Sequence, residues 1–277
     1  AAAISRLKPS PTMAAPPTLH GRQVLGSEAA HPWARLSGGA RAVRQGSRIV
    51  ISGTQARDAE GRILAPGDAQ AQTTLVLEQI AASLRALGSG LQDVVRTRVL
   101  LRDPDASAGP AEAHARAFAG LHPATSLQGA PWLPAGCEVE IEAEAEVPPA
   151  ARHFISTGTA YEALAGYVRA VADGDWVFVS GTVGVDPATG AWAQGTRAQA
   201  HRAIDTIEGA LQRAGLRLLD VVRVVVYVAS RDDVVAVSEV IRERLGPAQP
   251  TNTTLCVPLA LEECRVEIEV TAKRRSA

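Results

Sequence analysis

Two pairs of glutamates stand out in this 277-residue chain as residues whose type and spacing suit proton transfer. Glu140 and Glu142 alternate with apolar residues in CEVEIEAEA, and Glu267 and Glu269 do so in CRVEIEVTA. A period of two puts both members of a pair on one face of a strand. Such a carboxylate serves as a general base toward water if it lines a cleft, and is an ordinary solvated group if its face is open. Arg169 follows Tyr167 by two residues and so shares its face, with Arg41 at the matching place upstream. Each arginine reads either as a clamp for a substrate carboxylate or as an ion-paired edge residue. Trp33 and Tyr161 match each other ahead of these segments, placed to stack a planar ligand or to staple an N-terminal arm.

Other chemistries find little footing. Cys137, Cys256 and Cys264 form no CxxC pair, and His31, His122 and His153 lack metal-ligand spacing, so no metal is expected. Cys256 has no visible acid or base partner, His201 falls in a helical pattern, and no glycine-rich phosphate loop is present, so no cofactor is expected either.

The elements that position these residues come from a duplication. RAVRQGSRIVISGT begins at 41 and RAVADGDWVFVSGT at 169, an offset of 128. LQDVVRTRVLL (91–101) and LLDVVRVVVYV (218–228), like the two glutamate segments, repeat at an offset of 127. VPPAA (147–151) is the joint, because consecutive prolines continue neither helix nor strand ladder. The expected division is a disordered or extraneous leader over 1–19, a first unit over 20–148 and a second over 149–277. Within each unit an apolar β-branched run ends in Gly and leads into a hairpin, with VDPATG supplying the turn in the second. Residues 69–87 and 197–214 carry apolar side chains at helical spacing, with Gly88 and Gly215 as left-handed stops. Shorter helices are expected over 111–120 and 232–245. The order strand, strand, helix, strand, helix, strand predicts an α+β fold, each unit a mixed sheet with two helices on one face. The other sheet face needs a cover, so self-association is expected.

Basic and acidic residues number 28 and 29, for a net charge of -1, and the only basic run is Lys273–Arg275. Nucleic acid and anionic membrane are therefore not expected partners. No apolar run is long enough to span a bilayer, no secretion signal is legible, and unpaired thiols suit a reducing compartment, so a cytoplasmic location is expected.

GYVRAVADGDWVFVSGTVGVDPATG (166–190), the following helix, DVVRVVVYV and the terminal VEIE together resemble the Rid family, the YjgF-like reactive-intermediate deaminases, over about 25–148 and 152–273. The resemblance implies two tandem chorismate-mutase-like units, small-molecule sites in clefts between units, trimeric assembly, and hydrolysis of imines and enamines without metal or cofactor. It implies a catalytic Glu at Glu140 and Glu267 and a pocket Tyr at Tyr167, where the first unit has Gly39. Gly53 and Gly181, in ISGT and VSGT, fall with Arg41, Arg169, Trp33 and Tyr161 among the binding residues. The family's carboxylate-clamping arginine is replaced by Thr125 and Asn252. Loss of such a bidentate pair weakens binding of a small 2-imino acid by about 2 kcal/mol, roughly 30-fold. The leading expectation is a Rid-like hydrolase with Glu267 as base, assembled as three chains in two stacked rings. The alternative is a non-catalytic small-molecule-binding module using the same clefts. Ribonuclease activity, which has been linked to the family name, has no support in a chain that is not basic and has no paired histidines.

Overall fold

The computed structural model describes residues 16–26, 37–147 and 151–275. The first unit runs β1 (Thr18–Leu19), β2 (Arg22–Gly26), β3 (Ala40–Gln45), β4 (Arg48–Gln55), α1 (Ala69–Ala86), β5 (Val94–Leu101), α2 (Ala108–Ala117), β6 (Ala124–Gly129) and β7 (Val139–Glu146). The second runs β8 (Arg152–Ile155), α3 (Ala160–Ala165), β9 (Ala170–Asp173), β10 (Trp176–Val183), α4 (Thr196–Arg213), β11 (Val221–Val228), α5 (Val234–Leu245), β12 (Thr251–Cys256) and β13 (Val266–Lys273). The sheets are ordered β1-β2-β3-β4-β7-β5-β6 and β8-β9-β10-β13-β11-β12, so the duplication extends to topology. Within each sheet of the described residues one strand pair, β5–β6 or β11–β12, is parallel, which makes both sheets mixed.

The long helices start and stop where local chemistry dictates. Asp68 caps α1 by accepting from the Ala71 N–H at 2.9 Å. Gly88 and Gly215 take φ of +72°, the left-handed conformation that ends a helix without a Cβ clash. The inner stripe of α1, including Val76, Leu77, Ile80 and Leu84, packs on one sheet, and Ile204, Ile207 and Leu211 of α4 pack on the other. Buried Gln72 and Gln199 tie each helix to the approach to the last strand. Each donates to a backbone carbonyl there and accepts from a backbone N–H at 2.7–2.8 Å.

Three expectations are corrected. Residues 18 and 19, assigned to the leader, pair with Gln23 and Arg22 as β1; residues 1–15 lie outside the described residues. The hairpin after WVFVSG shrinks to a single bridge between Val185 and Trp192, because the true partner of β10 is β9, on its N-terminal side. The second unit also carries α3, a helix the periodicity did not show.

The cover for the second sheet's other face comes from within the chain. β6 of the first unit lies against β10, with the Thr125 N–H donating to Ser180 Oγ and the Gly181 N–H to Ser126 Oγ, both at 2.9 Å. The Gly129 N–H bonds the Pro258 carbonyl at 2.8 Å, and Val95, Ala124, Val168, Val171 and Phe178 form one apolar cluster across the seam. The carboxylates of β13 are therefore buried, not solvated. β12, the counterpart of β6, is exposed along its whole length. Because copy one's β6 is engaged by copy two, this seam joins unlike units side by side. Among the described residues no helix is long and apolar enough to cross a membrane.

Candidate functional site

A cavity of about 280 Å³ opens at the seam between the two units, near the usual lower bound for small-molecule sites. Thr125 and Leu127 of β6 form one wall, and Tyr167, Arg169, Gly181 and Glu267 of the second unit form the opposite one. Tyr161 and Leu164 of α3 sit at the rim. Most of the remaining wall is apolar.

Glu267 owes its position to a strand irregularity. The register between β10 and β13 slips between Val179 and Thr182, and the slip falls on Ser180–Gly181. The glutamate side chain crosses the strand there, so a Cβ on Gly181 would lie 1.7 Å from Glu267 Oε1. The first unit repeats the arrangement, with a slip between Ile51 and Thr54 and a Gly53 Cβ that would meet Glu140 Oε1 at 2.2 Å. The glycine of each SGT and the first glutamate of each VEIE are thus one steric unit. Glu267 accepts from Gln128 Nε2 of the other unit at 3.0 Å. Burial pushes its carboxyl up to about 8, against the lowering effect of its hydrogen bond from the Leu127 N–H. A carboxyl so placed is mostly protonated at neutral pH and ionises readily just above it.

Arg169 is buried and fully engaged at its terminal nitrogens. Nη1 donates to the Gly181 carbonyl at 2.7 Å and to Thr182 Oγ1 at 3.0 Å, and Nη2 lies 3.5 Å from both Glu162 Oε1 and the Tyr167 hydroxyl. Glu162, itself buried, also accepts from Ser156 Oγ at 2.5 Å and from the Thr157 N–H at 3.1 Å. Glu162 offsets the Arg169 charge, and Arg169 in turn holds Tyr167 in place, while its Nε is buried without a hydrogen-bond partner. The Tyr167 hydroxyl stays protonated, because burial raises its pKa against the opposing pull of Arg169.

The residues expected to share a site therefore separate. Glu267, Tyr167, Arg169, Gly181, Thr125 and Tyr161 meet at the seam. Asn252 does not: it pairs with Val224 on exposed β12, so of these two residues only Thr125 shares the cavity with Glu267. Glu140, which accepts from Gln55 Nε2, and Arg41, which donates to Thr54 Oγ1 at 2.9 Å, lie in the first unit without a β6-like strand over them. Trp33 lies outside the described residues. Among the described residues no group of three or more His, Cys, Asp or Glu is gathered to hold a metal.

Sequence reading missed the polar chain behind Thr125. Thr97 Oγ1 lies 2.9 Å from Thr125 Oγ1 and 3.0 Å from His114 Nε2, and His114 Nδ1 lies 2.7 Å from the Ala165 carbonyl oxygen. The available signal was Thr97 itself, a hydroxyl in the apolar DVVRTRVLL where the repeat has Val224.

Comparison with known proteins agrees with this architecture. Residues 29–147 and 157–274 each match the family described as Endoribonuclease L-PSP. A RutC family protein of Pyrococcus abyssi is 32% identical over 123 residues, covering 44% of this chain and 97% of the relative. A 2-iminobutanoate/2-iminopropanoate deaminase of Salmonella typhimurium is 32% identical over 124 residues, with the same shares covered. The crystal structure of a chorismatase superposes with a TM-score of 0.63 over 84% of this chain and 76% of its own, at 20% identity, which shows a shared fold. With one family unit matched in each half, the chain belongs to the endoribonuclease L-PSP family, the YjgF-like or Rid family, as a tandem member.

Proposed function

We propose that the chain is a Rid-type hydrolase that converts a small imine or enamine to its carbonyl compound and ammonia at the seam between its two units. The observation that carries this reading is Glu267, a buried carboxyl laid across Gly181 into a largely apolar cavity it shares with Tyr167. Ionised Glu267 takes a proton from water as the water oxygen bonds to the imine carbon and passes that proton to the nitrogen, which the Tyr167 hydroxyl holds by a hydrogen bond. Glu267 then takes the proton of the new hydroxyl and delivers it to the nitrogen as the carbon–nitrogen bond breaks, leaving a C=O group and ammonia. Atoms and charge balance with water as the only co-reactant. Relatives named as iminobutanoate/iminopropanoate deaminases support the reaction class.

The test follows ammonia release from a panel of imines generated enzymatically beside the purified chain. Release faster than in the absence of protein is expected for at least one of them. Failure across the panel, with small ligands still bound, would favour the second reading, a binding module, which the neutral Thr125 at the clamp position supports.

We further propose a homo-oligomer in a cytoplasmic setting. Copy two offers exposed β12 and copy one offers the uncovered side of β4 and β7, the same kinds of surface that meet at the internal seam. Heterologous contacts of this sort close into a ring when the rotation between copies divides the circle. Three chains of 28.9 kDa are the expected assembly, about 87 kDa by light scattering, and a stable monomer would defeat it.

A further inference from the structure

The polarity of Thr125 follows from its neighbours. The Ala165 carbonyl can only accept, so His114 Nδ1, 2.7 Å away, carries a proton. His114 is 2% exposed, and burial holds it down to about 4, so the ring is neutral and Nε2 is an acceptor. Thr97 must then donate its single hydroxyl proton to Nε2, at 3.0 Å. With that proton committed, Thr97 Oγ1 can only accept from Thr125 Oγ1, at 2.9 Å. The Thr125 proton therefore points into the protein, and the cavity sees oxygen lone pairs.

From this chain of bonds we infer that Thr125 is a fixed acceptor that reads a hydrogen-bond donor on the substrate, so that the site selects neutral imines bearing an amide, amine or hydroxyl where a 2-imino acid carries its carboxylate. A guanidinium at this place would read an acceptor; the Thr97–His114 relay presents the opposite polarity. The rest of the cavity agrees. Arg169 is neutralised by Glu162, the walls contributed by Leu127, Leu164 and Leu261 are apolar, and Asp105 at the edge adds negative charge. A carboxylate facing Thr125 would meet lone pairs, and the one guanidinium among the described residues that line the cavity, Arg169, is already offset by Glu162. The substrate class rests on the hydrolase reading above, whereas the polarity of the subsite does not.

Binding separates the two. Calorimetry with 2-oxobutanoate and 2-oxobutanamide compares ligands of one shape that differ in carrying a carboxylate or a donor-bearing amide. The amide should bind about tenfold or more tightly. Thr125→Ser should keep that preference and Thr125→Val should abolish it. Thr97→Val frees the Thr125 hydroxyl to turn outward and donate, so the preference should narrow while the carboxylate gains. Equal or tighter binding of the carboxylate, a preference that survives Thr125→Val, or no amide binding at millimolar concentration would each overturn the inference. Amide preference without ammonia release from any imine would sink the hydrolase reading and leave the subsite standing.

Discussion

Replacing Glu267 by Gln should lower ammonia release by roughly 100-fold or more and remove the pH dependence of what remains. The native carboxyl titrates at about 8, so kcat/KM should climb from pH 7 to a plateau above pH 8 as the base ionises. A rate that fell over this interval would instead make Glu267 the acid. The same substitution has a stability signature of its own. A carboxyl raised from its ordinary value of 4.5 to about 8 contributes stability that is fully present below 4.5 and is lost as pH rises through 8. Glu267→Gln cannot ionise, so its melting temperature should gain steadily on the native value as pH rises from 4.5 to 8 and hold a constant lead above that. Gly181→Ala tests the same group by position, since its Cβ would take the space of Glu267 Oε1, and activity should again collapse. Unchanged turnover in Glu267→Gln would remove the residue from catalysis.

The fold was legible because a duplication states each pattern twice. DVVRTRVLL and DVVRVVVYV, or VEIE with its partner SGT, are short signals alone, but their recurrence at nearly constant offset fixes element order and joint together. Part of the site was legible for a steric reason: Glu267 and Glu140 can lie where they do only across Gly181 and Gly53. The separation of roles between copies was not legible. Thr125 and Asn252 look equivalent in sequence, yet β6 is buried against β10 while β12 is exposed, because a seam between two unlike units uses each kind of surface once and leaves the other free. Sequence alternation shows that a face is polar without showing what covers it. For that reason the polar face carrying Glu269 was left open between a cleft and a solvated edge, and the Thr97–His114 relay, whose members lie far apart along the chain, left only one unexpected hydroxyl as a trace.

The buried charges at the seam carry the second large effect. Glu269 is 1% exposed, accepts Arg98 Nη2 at 2.7 Å and Ser126 Oγ at 2.7 Å, and lies 3.3 Å from Arg96 Nη1, so one carboxylate of the second unit answers two guanidinium groups of the first. Arg96 also donates to Thr271 Oγ1 and to the Val270 carbonyl at 2.9 Å. Burial alone would raise the Glu269 carboxyl, but Arg96 and Arg98 overcome that and hold it down to about 2. Glu269→Ala leaves both arginines in a dry seam without this counter-charge, and should cost about 3–5 kcal/mol, the usual penalty for breaking a buried pair from one side. Because its folded pKa is depressed, Glu269 contributes stability that is present above 4.5 and is lost as pH falls toward 2. His114, held neutral by burial, has a separate window: its contribution is present above 6.5 and is lost as pH falls through 4. Thermal melts of the native chain should therefore show two acid steps, and Glu269→Gln should keep the His114 step while erasing the lower one. The seam also shapes the cavity, through Ser126 and Gln128 on β6, so Glu269→Ala should weaken small-ligand binding along with stability. A Glu269→Ala chain that melts like the native one would show that the two units are held together by their apolar cluster and backbone bonds alone.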